Sequence, residues 1–207
     1  TSIDMGGGVT NSTGGLNGFV AKYSSANAFV WGKTFIGTGE NRAFDVAVDS
    51  SGNVFVVGYF KKTITFGATV LTATDPFNVG VSDIYIVKYN SSGVAQWAKG
   101  YGSSSDDVSN GVCVDPSGNV ILTASFFGTV DFGGTILTAT GGTADFAVVK
   151  LLNSNGSTVW AIGHGGAGSD TDTGVATDSS GNVVVVGGAT GAIDLGGGST
   201  GTGGSYI

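Results

Sequence analysis

The chain has 207 residues, a net charge of -7 and a mean hydropathy of +0.27, and only 11% of its residues are charged. Its 39 Gly and 2 Pro exclude a collagen-like or Pro-rich protein, and its apolar content argues against disorder. The 8 Lys and Arg do not cluster, so binding to nucleic acid or to an anionic membrane is disfavoured. No apolar run approaches the ~18 residues of a transmembrane helix, so no membrane insertion is expected.

Four landmarks recur along the chain in the same order. They are an Ile/Val-Asp-Phe-Gly piece, a Lys that ends an alternating stretch, a Trp, and a hairpin of two apolar strands around Asp-x-Ser-Gly-Asn. The last three are Lys22, Lys88 and Lys150, then Trp31, Trp97 and Trp160, then Asp49, Asp115 and Asp178. Successive copies are 66 and then 62 or 63 residues apart. We therefore read the chain as a repeat with a period above 50 residues.

The hairpin turn has a chemical basis. Asp and Ser bond their own backbone two residues on, and Gly takes a positive φ without steric cost. A short loop of this kind between β-branched runs predicts a hairpin, commonly with a bulge at the Gly. The alternative is that Asp49, Asp115 and Asp178 ligate calcium, which would need several more oxygen atoms around each of them.

The second unit shows the predicted elements most completely. Its strands are expected at 63–66, 70–73, 83–89, 94–99, 111–115 and 119–124, with a turn at 90–93 and a polar loop at 102–110. Helical periodicity is absent, and four main strands joined by hairpins predict an antiparallel meander. A long period with four strands in each unit favours a propeller over a β-helix. We expect an all-β, β-propeller-like array of four-stranded antiparallel blades in one domain, 1–207, with units at approximately 1–62, 63–128 and 129–191 and a partial unit at 192–207.

The combined pattern resembles the bacterial β-propeller repeats called SBBP repeats. The residues that carry the resemblance are Asp83, Tyr85, Val87, Lys88, Tyr89, Trp97, Asp115, Gly118 and Asn119 in the second unit, and Asp145, Phe146, Val149, Lys150, Trp160, Asp178, Gly181 and Asn182 in the third. The first unit matches with Val20, Lys22, Tyr23, Trp31, Asp49, Gly52 and Asn53. Asn17 stands where the pattern has Asp, and Leu151 where it has Tyr. The resemblance implies a secreted or cell-surface protein, and it implies the fold much better than an activity.

Three units and a partial fourth do not comfortably close a ring, because propellers typically have about 4–8 blades. Either further repeats of the same chain complete the ring, which we favour, or copies self-associate and cover the exposed strand edges.

Acidic loops are the best candidates for binding. Glu40-Asn41, Asp106-Asp107 and Asp170-Thr171-Asp172 each precede a hairpin at a similar distance. Equivalent loops of a propeller gather on one face, so Asp106, Asp107, Asp170 and Asp172 are the predicted calcium ligands. The alternative, which we rank ahead, is that these residues form solvated turns.

The remaining chemistry is sparse. We expect the repeated Trp to pack between blades rather than stack sugars, and the repeated Lys to lie along the sheet with its charge in water or paired to a turn carboxylate. His164 is the sole His and is interpreted as a loop substitute for an aromatic residue, and Cys113 as a small buried side chain. No catalytic or cofactor-binding residue is predicted.

Three function classes remain open. The first is a non-enzymatic extracellular module for adhesion or scaffolding, with a protein or glycan partner at the cell surface. The second is a calcium- or carbohydrate-binding propeller that uses the acidic loops of one face. The third is a propeller enzyme that acts on polysaccharide, which would need a pocket with convergent carboxylates.

Overall fold

The computed structural model describes residues 2–11, 15–75, 77 and 80–200, and these ranges contain strands and turns but no helix. Within them, therefore, no helix is long and apolar enough to cross a membrane. The prediction of an all-β fold is confirmed. The strands are β1 (Ser2–Asp4), β2 (Val9–Asn11), β3 (Phe19–Tyr23), β4 (Phe29–Thr34), β5 (Ile36–Gly37), β6 (Asn41–Val48), β7 (Val54–Phe60), β8 (Thr63–Phe66), β9 (Thr69–Thr72), β10 (Asp83–Tyr89), β11 (Ala95–Tyr101), β12 (Val108–Val114), β13 (Val120–Phe126), β14 (Thr129–Asp131), β15 (Ile136–Thr138), β16 (Asp145–Leu151), β17 (Thr158–Gly166), β18 (Asp170–Thr177), β19 (Val183–Ala189), β20 (Ile193–Asp194) and β21 (Ser199–Thr200).

Two antiparallel sheets have the same strand order. Sheet I is β6-β7-β10-β11, and sheet II is β12-β13-β16-β17. Sheet II is extended by β20, which pairs with the end of β17, and by β21, which pairs with β20. In each sheet the connection between the second and third strands contains a small separate hairpin, β8–β9 in sheet I and β14–β15 in sheet II. The Ile/Val-Asp-Phe-Gly landmark lies in these small hairpins, as the sequence predicted. The part of the chain that the structure describes thus contains the four-stranded antiparallel blades expected from the repeat.

Half-sheets flank the two full sheets. Hairpin β3–β4 corresponds to the last two strands of a sheet, and hairpin β18–β19 corresponds to the first two. The full sheets run over 41–101 and 108–166, so each one crosses a boundary between the units read from the sequence. The reason is that β7 pairs with β10 and β13 with β16 across the small hairpins.

The repeat also reproduces its irregularities. A register shift interrupts the first strand of each full sheet and of hairpin β18–β19, at Ala43/Asp45 in β6 and at the corresponding places in β12 and β18. A second shift follows the repeated Lys, at Lys22/Tyr23, Lys88/Tyr89 and Lys150/Leu151. Because β-bulges re-aim the strand that contains them, their recurrence gives successive units the same twist and the same loop placement.

Apolar layers fill the space between successive sheets. One layer joins β3–β4 to sheet I, a second joins sheet I to sheet II, and a third joins sheet II to β18–β19. Strands β7, β10, β13 and β16 are therefore buried along both faces, whereas β19 alternates between half-buried and exposed residues. The first strands of successive sheets, β6 and β12, and the first strand of the following hairpin, β18, lie side by side. This is the arrangement of stacked blades whose first strands face a common axis.

Candidate functional site

The hairpin turns that follow β6, β12 and β18 are built as the sequence predicted. Gly52, Gly118 and Gly181 have φ values of 77°, 83° and 83°. The Oδ1 atom of Asp49 accepts hydrogen bonds of 2.9 Å from the backbone N–H groups of Ser51 and Asn53. Corresponding bonds hold the turns at Asp115 and Asp178. These contacts account for the repeated Asp as a turn former, and the interpretation of Asp49, Asp115 and Asp178 as turn residues is confirmed.

The repeated Trp and Lys join each unit to the next. Lys22 lies directly across from Trp31, and Lys88 across from Trp97. Trp97 Nε1 and Lys88 Nζ both donate to the carbonyl oxygen of Asn153 in the next sheet, at 2.9 and 3.0 Å. Trp31 and Lys22 make the same pair of bonds to the Ser91 carbonyl. Both indoles are buried, so the packing interpretation is confirmed for them, and we call each such set a Trp/Lys lock.

The third Lys has a different partner. Lys150 Nζ forms an ion pair of 2.6 Å with the Oδ2 atom of Asp115, whose side chain is almost completely buried. Burial acts to raise the pKa of Asp115, but the bonds from Lys150 and from the Asn119 amide outweigh it, and the pKa lies below the ordinary value. The expected pairing of a repeated Lys with a turn carboxylate is thus present in sheet II.

The four predicted calcium ligands do not form one cluster. Asp106 is exposed, and its Oδ1 atom accepts bonds from the N–H and hydroxyl of Ser82. Asp172 is buried beside sheet II, where it accepts bonds from Asn110, Thr123 and Ser125. Among the described residues, no three His, Cys, Asp or Glu side chains are gathered in a way that could hold a metal. Calcium binding stays a prediction.

Asp107 and Asp170 are equivalent in position, and each lies next to a buried Asp that is not among the four predicted calcium ligands. The N–H of Asp107 donates to the Ser82 carbonyl at 2.7 Å, immediately before Asp83. The N–H of Asp170 donates to the Ala144 carbonyl at 2.7 Å, immediately before Asp145. We call Asp83 with Asp107, and Asp145 with Asp170, the buried aspartate pairs. All four side chains are at most 4% exposed.

Burial changes the pKa values of aspartates in both pairs. Burial raises the pKa of Asp107 to about 7, against the opposing bonds from Phe127 and Ser103, and the Asp83 charge adds to the rise. Burial also raises the pKa of Asp170, and the Asp145 charge adds to it. The repeat pattern contained a signal for both partners, since Asp83 and Asp145 each begin the strand whose penultimate residue is the repeated Lys.

Comparison with known proteins identifies the architecture. The chain is 26% identical over 156 residues to an uncharacterized WD repeat-containing protein of Acanthamoeba polyphaga mimivirus. The match covers 69% of this chain but 11% of that protein, so the chain corresponds to a small part of its relative. No protein-family profile matches the sequence. WD repeats form propeller blades of four strands each, which is what sheets I and II are.

The fold is of the β-propeller type.

Cys113 and His164 both lie in strands of these propeller-type sheets. Cys113 is half-buried, and burial raises its pKa to about 11, which keeps the thiol protonated at neutral pH. His164 lies in β17 and not in a loop, where it packs on the Phe146 ring with 5.6 Å between ring centroids. A cleft of about 540 Å³ beside β19 is lined mainly by apolar residues, with Asp172 among them. Since Asp172 is already bonded to sheet II, the cleft presents no pair of convergent carboxylates within the described residues.

Proposed function

We propose that the chain is a non-catalytic propeller scaffold that presents its loops to a protein partner. The observation that carries this proposal is the repetition of the Trp/Lys lock, which ties β4 to the turn of sheet I and β11 to the turn of sheet II. Each lock fixes one blade on the next, so the loops at the blade ends are held at constant spacing. A rigid array of equivalent loops suits recognition of a macromolecule. Among the described residues, no group of three or more His, Cys, Asp or Glu side chains is gathered as a metal-dependent enzyme would need.

The two end faces of the array support a larger assembly of blades. Val46 in β6 is 52% exposed, whereas Val112, at the same position in β12, is 4% exposed because sheet I covers it. Val184 in β19 is 58% exposed, whereas its counterpart Ile121 is fully buried. Both end faces are therefore apolar surfaces of the kind that a neighbouring blade covers elsewhere in the chain. We infer that further blades pack on them, from the same polypeptide in preference to a second copy.

The net negative charge of the chain indicates which kind of partner surface it favours. With 15 acidic and 8 basic residues, the molecule favours a partner that presents a basic surface. We retain the SBBP-type assignment and a cell-surface location as parts of the proposal, supported by the residue pattern described above. A glycan partner is the second candidate, which only the repeated acidic loops favour.

Binding measurements with the purified chain test the proposal. The chain is applied to a protein array and to a glycan array, each with and without chelator, and each hit is titrated as a purified component. We expect saturable binding of a protein that weakens as salt increases, because exposed charges are screened. Asp106→Asn, which removes an exposed loop charge, should weaken binding more than Asp131→Asn, which removes a charge from the small hairpin β14–β15. Saturable glycan binding without a protein partner, or turnover of a polysaccharide, would contradict the scaffold function.

A further inference from the structure

The buried aspartate pairs occupy the junctions between successive sheets. Asp83 begins β10 in sheet I, and Asp107 immediately precedes β12 in sheet II. Asp145 begins β16 in sheet II, and Asp170 begins β18 in the next hairpin. The main-chain bond that brings the members of a pair together has the same length, 2.7 Å, at both junctions. The two junctions are therefore copies of one local structure.

Each pair carries carboxylate oxygens that have no hydrogen-bond partner, although both oxygens of Asp107 accept a backbone bond, from the N–H groups of Phe127 and Ser103 at 2.8 and 2.6 Å. Asp83 Oδ1, Asp145 Oδ1 and both carboxylate oxygens of Asp170 are buried without a hydrogen bond of good geometry, and the backbone N–H of Gly166 is close enough to Asp170 to act against the rise in its pKa. The other oxygens of Asp83 and Asp145 accept bonds from the N–H and hydroxyl of Thr74 and of Thr140, at 2.7–3.0 Å, which fixes the orientation of both carboxylates. The ion pairs that the structure describes, Arg42–Glu40 and Lys150–Asp115, do not include these four residues.

Glycine backbone closes the pairs on one side. A Cβ atom at Gly102 would lie 2.2 Å from the Asp83 carboxyl carbon, and one at Gly165 would lie 2.0 Å from that of Asp145. No other residue type fits there without displacing a carboxylate. The same close approach at both junctions indicates that the positions of Asp83 and Asp145 are built into the repeat.

The first junction of the chain provides an internal comparison. The N–H of Asn41 donates to the Leu16 carbonyl at 3.0 Å, immediately before Asn17, so Asn17 and Asn41 occupy the positions of a buried aspartate pair. Here the Asn41 amide donates to Asn17 Oδ1 at 3.0 Å, and Asn41 Oδ1 accepts from the N–H of Gly18 at 2.9 Å. This neutral pair bonds to itself and needs no counter-charge. Two carboxylates in the same place cannot do this while both are ionised.

We propose that each buried aspartate pair, Asp83 with Asp107 and Asp145 with Asp170, binds one Ca²⁺ ion at a junction between sheets. The available donors are oxygen atoms, which are the ligands that Ca²⁺ prefers, and Ca²⁺ accepts the irregular geometry that two carboxylates with water or carbonyl oxygens provide. Mg²⁺ demands near-ideal octahedral geometry and fits such a site less well. With two carboxylates for each ion, the affinity should resemble that of weak extracellular modules, with a Kd of roughly 10⁻⁴–10⁻³ M.

The inference is independent of the proposed scaffold function. It concerns how the blades are held together, so a failure of Ca²⁺ binding would leave the protein-binding test unaffected. It also refines the prediction from the acidic loops: Asp107 and Asp170 are retained as ligands and Asp83 and Asp145 are added, whereas Asp106 and Asp172 are left out because neither belongs to a buried aspartate pair.

The first junction also supplies the test variants. The double substitutions Asp83→Asn with Asp107→Asn, and Asp145→Asn with Asp170→Asn, copy the Asn17–Asn41 pair that the chain already contains. The control is Asp131→Asn with Asp194→Asn, which also removes two negative charges but from exposed turns. All proteins are first treated with chelator. Equilibrium dialysis against radioactive Ca²⁺ then gives the number of bound ions per chain, and thermal unfolding with and without Ca²⁺, Mg²⁺ or Na⁺ gives the effect of each ion on stability.

We expect two bound Ca²⁺ per chain for the wild type and the control, one for each double variant and none for the fourfold variant. At a Ca²⁺ concentration of 10 Kd, each occupied site should increase the folding equilibrium constant about 11-fold. Equal Ca²⁺ binding by wild type and fourfold variant would overturn the proposal. The proposal would also be overturned if the wild type bound no Ca²⁺ and instead took up one proton per pair on folding near neutral pH. The two carboxylates of each pair would then share a proton and not a metal ion.

Discussion

Trp97 and Asn153 lie in successive sheets, and the indole Nε1 of the first donates to the carbonyl oxygen of the second at 2.9 Å. The two residues are 56 positions apart, and Trp31 and Ser91, 60 positions apart, repeat the contact at 3.0 Å. Because the same contact recurs at equivalent positions of two successive blades, the Trp/Lys lock is part of the way in which the blades stack. This recurrence also makes the lock a place where blade coupling can be measured.

Trp97→Phe should destabilise the protein by about 1–2 kcal/mol. The substitution removes the indole N–H and some ring area, but the Asn153 carbonyl keeps its bond from Lys88 Nζ, so no buried acceptor is left without a donor. Trp160→Phe is the matched control, since Trp160 has the equivalent place in β17 but is only half-buried. Urea unfolding followed by circular dichroism gives both values, and an equal loss in the two variants would argue against the lock.

Gly156→Ala should be more damaging than Gly181→Ala. Both glycines have a positive φ, 70° and 83°, which costs an L-residue about 1–2 kcal/mol. At Gly156 the new Cβ would also lie 2.8 Å from the Trp97 ring, whereas nothing lies within 4 Å of it at Gly181. We therefore expect a further loss of about 1–2 kcal/mol and a change in Trp fluorescence for Gly156→Ala alone. Similar melting temperatures for the two variants would mean that the ring adjusts at no cost.

Lys150→Met should reduce stability by about 1–3 kcal/mol at neutral pH, because it leaves the buried Asp115 carboxylate without its cation. The folded protein holds the pKa of Asp115 below the ordinary value of 3.8, so the folded state releases this proton more easily than the unfolded state does. The contribution of the pair is therefore complete above that value and is lost as the pH falls below it.

Unfolding measured from neutral pH to strongly acidic pH checks this prediction. The stability difference between wild type and Lys150→Met should shrink as the pH falls through the acidic range. Lys22→Met is the control, because the hydrogen bond that the structure describes for Lys22 Nζ, 3.3 Å to the Ser91 carbonyl, is exposed and involves no carboxylate. A difference between wild type and Lys150→Met that does not depend on pH would show that Lys150 stabilises the fold through packing alone.

The sequence predicted the sheets because their chemistry is local. Apolar alternation and the Asp-x-Ser-Gly-Asn turn specify a hairpin wherever they occur, as at Asp49 and Gly52. The point in the repeat at which one sheet ends and the next begins was harder to predict. The reason is that β7 pairs with β10 although the small hairpin β8–β9 lies between them in the chain. The four aspartates themselves recur visibly in the repeat, but their pairing was missed, because the members meet through a main-chain bond between distant segments, such as that from Asp107 to Ser82, and residue spacing does not show such a contact.

Val112→Ala and Val46→Ala compare one position in two successive units. Val112 is 4% exposed between sheets I and II, so loss of its two methyl groups should cost about 1–3 kcal/mol. Val46 is 52% exposed, and the same change should cost less than about 0.5 kcal/mol in this chain. In a longer polypeptide that places another blade on β6, the cost at Val46 should rise towards that at Val112. Chemical unfolding of both lengths measures this rise, and a cost at Val46 that stays small in the longer protein would contradict our inference that a further blade covers this face.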